Sequence, residues 1–375
     1  MQIVAQSLLV LELTNGSAIA LGTVSLLQAV SFILFAPLGG GAADRHDKRR
    51  LLLLTQSLMM ALACLLGILV VSGAIRFWMI PVAAFLNSAI LSFDQPARNA
   101  LVAAVVPKES LMNAISLQSA VFNGASILGP AMAGMALNQI GYGGNFFLNA
   151  ASYTAMLGAL LLVRAPAGRE TGQRSQRLLA SVAEALRFVR RDAVLPSVVS
   201  IYGALLFFGP STALMLPVFA EQVLHVGPVQ LGMLFSAVGA GTVVSALLVA
   251  SLGDFHRKGG LLIGSVLLWT MALAVFGWSG SWSVSLVALF TLGAAQNAAG
   301  ATAMTLLQLR VPPEMRGRAM SLNTLLIMCV RPLGDFPAGA AIHWLGGQPT
   351  VLLSAAIVAA ALLASVATRS AVRHA

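Results

Sequence analysis

The residues best placed to do chemistry lie in a short charged turn, residues 39–51, which holds two acids and four bases between two long apolar runs. Carboxylates and guanidinium groups this close together form ion pairs, and such pairs can hold a hinge in one conformation. A fainter copy occurs 210 positions later, where Asp254 corresponds to Asp44 and is followed by Arg257. The repeat predicts that the chain consists of two similar halves.

Two further charged residues, Arg331 and Asp335, lie inside an apolar stretch. Charges at the middle of a membrane span are costly, so they face a bundle interior or a wet cavity and mark functional sites. Their i, i+4 spacing allows them to pair, and separating a carboxylate from its arginine raises its affinity for a proton. We predict a proton-coupling device, with a static ion pair in a helix bent by Pro332 and Pro337 as the alternative.

The other polar residues form no catalytic or metal-binding pattern. The five histidines are scattered among loops and helix ends, and no G-x-x-x-x-G-K-[ST] phosphate loop occurs. We therefore predict that the protein is not an enzyme, binds no metal ion and no cofactor, and is not driven directly by ATP through this chain.

The composition predicts that helices in a lipid bilayer position these residues. Apolar residues make up 58% and charged residues 9% of the 375, against about 25% charged in typical soluble domains. Apolar stretches near the ~20 residues that span a bilayer as a helix occur at 18–41, 51–72, 77–95, 114–139, 145–164, 197–220, 229–251, 261–279, 284–307, 319–342 and 350–368. The sequence predicts an all-α membrane protein with eleven full spans.

The amino-terminal stretch is shorter than a span. Its apolar residues 3–13 would rise only about 16 Å as a helix, roughly half of a bilayer. A basic start and a small-residue cleavage site are absent, which argues against a secretory signal. We expect a first helix that is truncated, with its remainder upstream.

The basic residues predict the orientation. If the charged turn is cytoplasmic, twenty of the 22 Lys and Arg residues fall on that side, with Arg76 outside and Arg331 within a span. This is the positive-inside asymmetry of membrane proteins. The net charge of +10 therefore reflects topology, and we predict contact with the lipid bilayer and none with nucleic acid, because no compact basic domain is present.

The charged turn matches the pattern G-x-x-x-D-R-x-x-R/K-R/K at Gly40, Asp44, Arg45, Arg49 and Arg50. It therefore resembles the loop between the second and third helices of the major facilitator superfamily of secondary transporters. At Asp47, where that superfamily usually has glycine, the turn is similar to the Asp-Arg-x-Asp-x-Arg pattern of the branch that holds enterobactin exporters and macrolide efflux proteins.

The turn is interpreted as a gate. Gly40 would let the second helix pack closely on a neighbour across the halves, and the arginines would form pairs that hold one conformation shut. Asp94, near the cytoplasmic end of the fourth span, is the expected partner, and Asp94 and Arg98 are themselves spaced for an i, i+4 pair. The alternative is that these bases serve only topology.

The fifth span contains Gly129, Pro130 and Gly134, with Ala125 and Ala133 at two positions where the antiporter signature G-x-x-x-G-P-x-x-G-G has glycine. Small residues on one helical face permit close contact with a partner helix, and proline bends the span. The resemblance implies export in exchange for protons. The alternative is that these small residues serve only the packing of the helix.

Together these patterns predict a major facilitator fold of two six-helix bundles, residues 1–164 and 196–375, joined by a cytoplasmic linker at 165–195 with an interfacial helix. The expected function is secondary active export of a small molecule, such as a drug, siderophore or similar metabolite, by proton antiport and alternating access. We expect a monomer in several passes of the cell inner membrane. A truncated facilitator-fold protein that transports nothing is the alternative.

Overall fold

The computed structural model describes residues 2–163, 178–253, 257–312 and 322–368, and within these ranges the regular structure is helical, with no strand. In the described residues, nine helical segments are long and apolar enough to cross a membrane, with residues 195–222 counted as one segment. One of them, of 52 residues, is interrupted at Gly141, and a further helix of 27 residues carries polar groups near its end. The all-α membrane architecture predicted from the sequence is confirmed.

The first half of the chain forms five helices. They are α1 (Gln2–Leu13), α2 (Ala18–Arg45), α3 (Lys48–Val71), α4 (Met79–Val105) and α5 (Leu111–Leu162). The second part forms eight: α6 (Leu178–Arg191), α7 (Leu195–Phe208), α8 (Thr212–Gln222), α9 (Pro228–Ser251), α10 (Lys258–Trp278), α11 (Trp282–Arg310), α12 (Leu322–Leu345) and α13 (Gly347–Thr368).

Helix α5 is two spans joined by a reversal at Gly141. This residue has φ of 65° and ψ of −173°, a conformation that glycine adopts without the steric cost of a Cβ atom. Beyond the reversal the Asn145 side-chain amide donates to the Ala133 carbonyl at 3.1 Å, so the second arm packs back on the first. The spans predicted at 114–139 and 145–164 correspond to these two arms.

The span predicted at 197–220 is broken into α7 and α8 by Gly209, Pro210 and Ser211. Proline has no backbone N–H and disfavours helical geometry at the residue before it. Ser211 then begins α8 as its N-cap, with its hydroxyl accepting from the Leu214 N–H at 3.2 Å. Residues 195–222 together are long and apolar enough to cross a membrane, as predicted, but the span consists of two helices and not of one.

Helix α1 has only 12 residues, and most of them are buried. It packs on α5, α2 and α8. The Gln222 side chain at the end of α8 donates to the Gly16 carbonyl at 3.1 Å, which joins the two parts of the chain beside the end of α1.

We call the side of the membrane that carries the basic loops the inner side. The two parts of the chain meet through the outer portions of two helix pairs, α2 with α12 and α5 with α9. A methyl group on Gly22 of α2 would lie 3.0 Å from the Asp335 carbonyl oxygen, and one on Gly339 would lie 2.6 Å from the Ala18 carbonyl oxygen. Such close backbone approach excludes water from the outer end of the interface.

The inner portions of the same helices carry exposed apolar side chains. Phe122 and Leu117 of α5 are 75% and 67% exposed, and Leu38 of α2 is 59% exposed.

Helix α6 lies in the segment where the sequence predicts an interfacial helix. Its Val189 is buried with Leu195, Leu307 and Leu322 at the inner ends of α7, α11 and α12. Asp192, just after α6, accepts from the Val194 and Leu195 N–H groups at 2.8 and 2.9 Å and lies 3.8 Å from Arg310. These bonds attach α6 to the second part of the chain.

Candidate functional site

Asp94 is a buried carboxylate on α4 whose partners all lie within the first part of the chain. It is 1% exposed, and its Oδ1 accepts from the Thr55 hydroxyl at 2.9 Å and the Gln56 amide at 2.7 Å. Its Oδ2 accepts from Arg98 at 2.7 Å, which is the predicted i, i+4 pair. These three side chains satisfy the carboxylate, which would otherwise be costly to bury.

The expectation that Asp94 pairs with the arginines of the charged turn differs from the structure, where its partner is Arg98. Arg49 instead donates to the Leu160 and Leu161 carbonyls at 2.7 and 2.8 Å, and so fastens the start of α3 to the end of α5. Arg45 and Arg50 are exposed. The side chain of Asp44 lies outside the described part of the structure.

Asp47 has a local role that the sequence pattern did not reveal. Its carboxylate accepts from the Arg50 N–H at 3.0 Å and caps the first turn of α3, a bond that satisfies one of the free N–H groups of a helix start. The charged turn is therefore also the signal that ends α2 and begins α3.

The close glycine contact in this region belongs to Gly39 and not to Gly40. A methyl group on Gly39 would collide with the Ser92 carbonyl of α4, in the same half, whereas Gly40 has no neighbouring atom within 4 Å. Gly40 therefore does not make the expected close contact across the halves in this structure.

Asp335 lies at the meeting point of α12, α8 and α2. It is 3% exposed, and its Oδ1 accepts from the Ser211 N–H at the start of α8 at 2.8 Å. Ser25 of α2 also approaches this carboxylate. The first N–H groups of a helix attract negative charge, so the broken span holds the carboxylate where both parts of the chain converge.

Arg331 does not form the predicted ion pair with Asp335. Its Nη2 donates to the Gln296 side-chain oxygen of α11 at 3.1 Å, and no acid in the described residues lies within 4.0 Å of it. The carboxylate turns instead to the free N–H at the start of α8. A π-helical turn, Leu326–Val330, directly precedes Arg331, and π-turns within α-helices often accompany functional sites.

The signature in α5 lies against α9. A methyl group on Gly232 would be 2.5 Å from the Pro130 carbonyl oxygen, and Gly134 faces the Pro228 carbonyl. The Ser236 hydroxyl donates to the Ile127 carbonyl at 2.6 Å. These residues bring two helices from different parts of the chain into backbone contact.

The second copy of the charged turn is only partly described. Asp254 lies outside the described residues, and Arg257 is exposed immediately before α10. The residues that sequence reasoning missed are Thr55, Gln56 and Ser211, which hold the two buried carboxylates. Only Ser211 had a signal, the Gly-Pro-Ser run that predicts a helix break.

Comparisons with known sequences point to export. The family described as transmembrane secretion effector matches residues 1–374. Macrolide efflux protein A of Streptococcus pyogenes is 22% identical over 92% of this chain and 86% of its own length. The enterobactin exporter of Citrobacter koseri is 26% identical over 85% of this chain and 75% of its own length.

Solved structures show the same fold. A bacterial homologue of the human lysosomal transporter Spinster has a TM-score of 0.72 at 16% identity and covers 100% of this chain and 96% of its own. The nucleoside transporter NupG has a TM-score of 0.71 at 15% identity, over 98% of this chain and 96% of its own.

Proposed function

Because the chain belongs to the transmembrane secretion effector family of major facilitator transporters, we propose that it exports its small-molecule substrate by proton antiport. The efflux names of its relatives, macrolide and enterobactin exporters, make drugs and siderophores the first substrates to test. We further propose that it works as a monomer in the cell inner membrane, with bundles at 1–164 and 196–375 joined through 165–195.

Alternating access is supported by the asymmetry of the interface. The outer portions of α2 with α12 and α5 with α9 are in backbone contact, while Phe122 of α5 is 75% exposed near the inner end. A transporter with two such bundles exposes its central site by rocking one against the other. The described arrangement corresponds to the state that takes up substrate from the cytoplasm.

The observation that carries the coupling proposal is the position of Asp335. Its carboxylate accepts from the start of α8 at 2.8 Å, with Ser25 of the other half beside it. In its charged form it is held by the α8 N-terminus of its own half and attracts Ser25 of α2 across the interface, and this second attraction favours outer closure. A proton bound from outside would remove that attraction, and its release to the cytoplasm would restore it, so one proton can enter for each substrate molecule that leaves.

The inner gate is proposed to form when the two bundles close on the cytoplasmic side. Gly40 has open space beside it, so a helix of the other half can approach there. Arg45 and Arg50 are exposed and free to pair across the closing interface. Asp44, together with the Asp94–Arg98 pair, would then hold the closed inner face.

Transport in everted membrane vesicles tests the proposal. Vesicles energised by respiration should accumulate radiolabelled erythromycin or enterobactin, and nigericin, which collapses the pH gradient, should abolish accumulation. Asp335→Asn should leave only downhill movement, whereas Glu109→Gln, which changes an exposed acid in the α4–α5 connection, should behave as the unmodified protein. Accumulation that persists in Asp335→Asn and is still proton-driven would assign coupling to another acid.

A further inference from the structure

The tryptophans of this chain are concentrated at one end of the helix bundle. The chain has five of them, all within the described residues, and four lie at outer helix ends. Trp78 directly precedes α4, Trp278 ends α10, Trp282 begins α11, and Trp344 is the penultimate residue of α12. The fifth, Trp269, is buried within α10 at 1% exposure.

Three of the outer side chains are largely uncovered by protein. Trp78 is 62% exposed, Trp278 81% and Trp344 80%. An indole ring combines a large apolar surface with one N–H donor, so it is most stable where apolar chains meet polar groups. Tryptophan is enriched at that depth of a bilayer. We propose that these three residues, the outer tryptophan belt, bind the glycerol and ester carbonyl zone of the phospholipid leaflet on the outer side.

The distance from the belt to basic residues of the inner side fits a bilayer. Trp78 precedes Arg98 by 20 positions, and Lys258 precedes Trp278 by the same number. Each separation corresponds to about 30 Å along a helix axis, and the hydrocarbon core of a bilayer is ~30 Å thick. Two helices from different parts of the chain, α4 and α10, thus place the same two interfaces at the same separation.

The belt holds both parts of the chain at one depth. Trp78 belongs to the first part, whereas Trp278 and Trp344 belong to the second. Trp344 follows Gly339 by five positions, and a methyl group on Gly339 would lie 2.6 Å from the Ala18 carbonyl oxygen of α2. Because the anchored end of α12 is also the end that contacts the first part, the leaflet fixes the depth of this contact.

Fluorescence quenching in lipid nanodiscs tests the depth of the belt. The full chain is reconstituted in phosphatidylcholine that is brominated either close to the glycerol or near the chain ends, and iodide measures access from water. We expect stronger quenching by the lipid brominated close to the glycerol, because the rings lie at that level, and weak quenching by iodide. The triple variant Trp78→Phe, Trp278→Phe, Trp344→Phe should lose the difference between the two lipids.

Replacement of Trp282 by phenylalanine is the matched control. Trp282 lies at the same outer end, but it is half-buried, packs against the core and has its Nε1 enclosed by protein. Trp282→Phe should therefore keep the difference between the two lipids. Each single belt variant should lose part of the difference, so the single variants carry the test if the triple variant does not fold. Size-exclusion profiles establish that each variant is folded.

The unfolding midpoint measures the fit to the bilayer. For the unmodified chain it should be highest in nanodiscs with a hydrocarbon core about 30 Å thick and lower in thinner or thicker bilayers, because mismatch moves the rings or the bases out of their interfaces. Leucine at the three belt positions keeps an apolar surface and removes the indole N–H. In that triple variant the midpoint should depend less on bilayer thickness.

Stronger quenching by bromine near the chain ends would place the rings in the hydrocarbon core, and strong quenching by iodide would place them in water. Either result would overturn the assignment. Weak quenching by all three agents would overturn it as well, since protein would then cover the rings, for example a second copy of this chain. An unchanged difference in the triple phenylalanine variant, or a midpoint independent of bilayer thickness, would also contradict the belt.

Discussion

The two buried carboxylates of the membrane region, Asp94 and Asp335, are held in opposite ways. Asp94 is satisfied by side chains of its own half, including Arg98 at 2.7 Å. Asp335 accepts from a backbone N–H of α8 in its own half at 2.8 Å and is approached by Ser25 of the other half. The bonds within one half can persist through a rigid-body motion of the halves, whereas the Ser25 contact lies where such a motion acts.

Loss of the Arg98 charge should destabilise the protein more than loss of both charges. Arg98→Gln leaves Asp94 charged and buried. Breaking a buried ion pair costs about 3–5 kcal/mol of stability. Because the Arg98 side chain is 39% exposed, we expect a smaller loss of about 1–2 kcal/mol. The Asp94→Asn, Arg98→Gln double variant should recover part of the loss. The unfolding midpoints of the variants in detergent, with Glu109→Gln as the control, measure this order of stabilities. Equal midpoints for all variants would contradict the predicted order.

Neutralising Asp44 should disable the proposed inner gate. Asp44→Asn is expected to reduce export to less than about a tenth, since a bias of ~1.4 kcal/mol changes a conformational equilibrium tenfold, while membrane protein levels stay unchanged. Asp47→Asn is the matched control, because asparagine is also a good helix cap and can keep the bond to the Arg50 N–H. Equal export by both variants would indicate that the charged turn only sets the orientation of the chain in the membrane.

At the scale of the helices, the interface between the two halves depends on helix breaks and on small residues. The break at Gly209–Ser211 exposes the first N–H groups of α8 to Asp335. Glycines at 22, 232 and 339 let backbones of different halves approach within the reach of a methyl group. Since lipid offers no hydrophobic driving force between helices, such packing contacts determine how they associate.

A methyl group at the α5–α9 contact should favour outer opening. Gly232→Ala places Cβ about 2.5 Å from the Pro130 carbonyl oxygen, whereas Gly264→Ala in α10 meets no atom within 4 Å and controls for the change in helix propensity. In a background without Cys64 and Cys329, a reporter cysteine at Leu137, which is 7% exposed, should react faster from outside in Gly232→Ala. Equal rates in the two variants would indicate that the contact does not limit opening.

For the molecule as a whole, the basic residues and the interface give one orientation. Twenty bases on the inner side predict which loops face the cytoplasm, and the close contacts between the two parts lie towards the other side. The proposed export needs a state that accepts substrate from within the cell, and we expect this arrangement to open on the inner side.

Cysteine accessibility tests the orientation and the opening together. A membrane-impermeant maleimide should label Arg76→Cys in intact cells and Ser110→Cys only in everted vesicles. Phe122→Cys, at a position 75% exposed on α5, should react in everted vesicles without substrate or energy. Labelling of Arg76→Cys and Ser110→Cys from the opposite sides would contradict the topology, and an unreactive Phe122→Cys would show that this face of α5 meets lipid.

The sequence by itself determined the membrane class and the family, because apolar length and the motif at Gly40 to Arg50 are local properties of the chain. It also predicted the Asp94–Arg98 pair, since both residues lie on one helix face. Only the tertiary structure decided that Arg331 and Asp335, at the same spacing, take different partners. Gln296 and the start of α8 are distant in sequence, and a helix end offers free N–H groups that compete with a nearby arginine for the carboxylate.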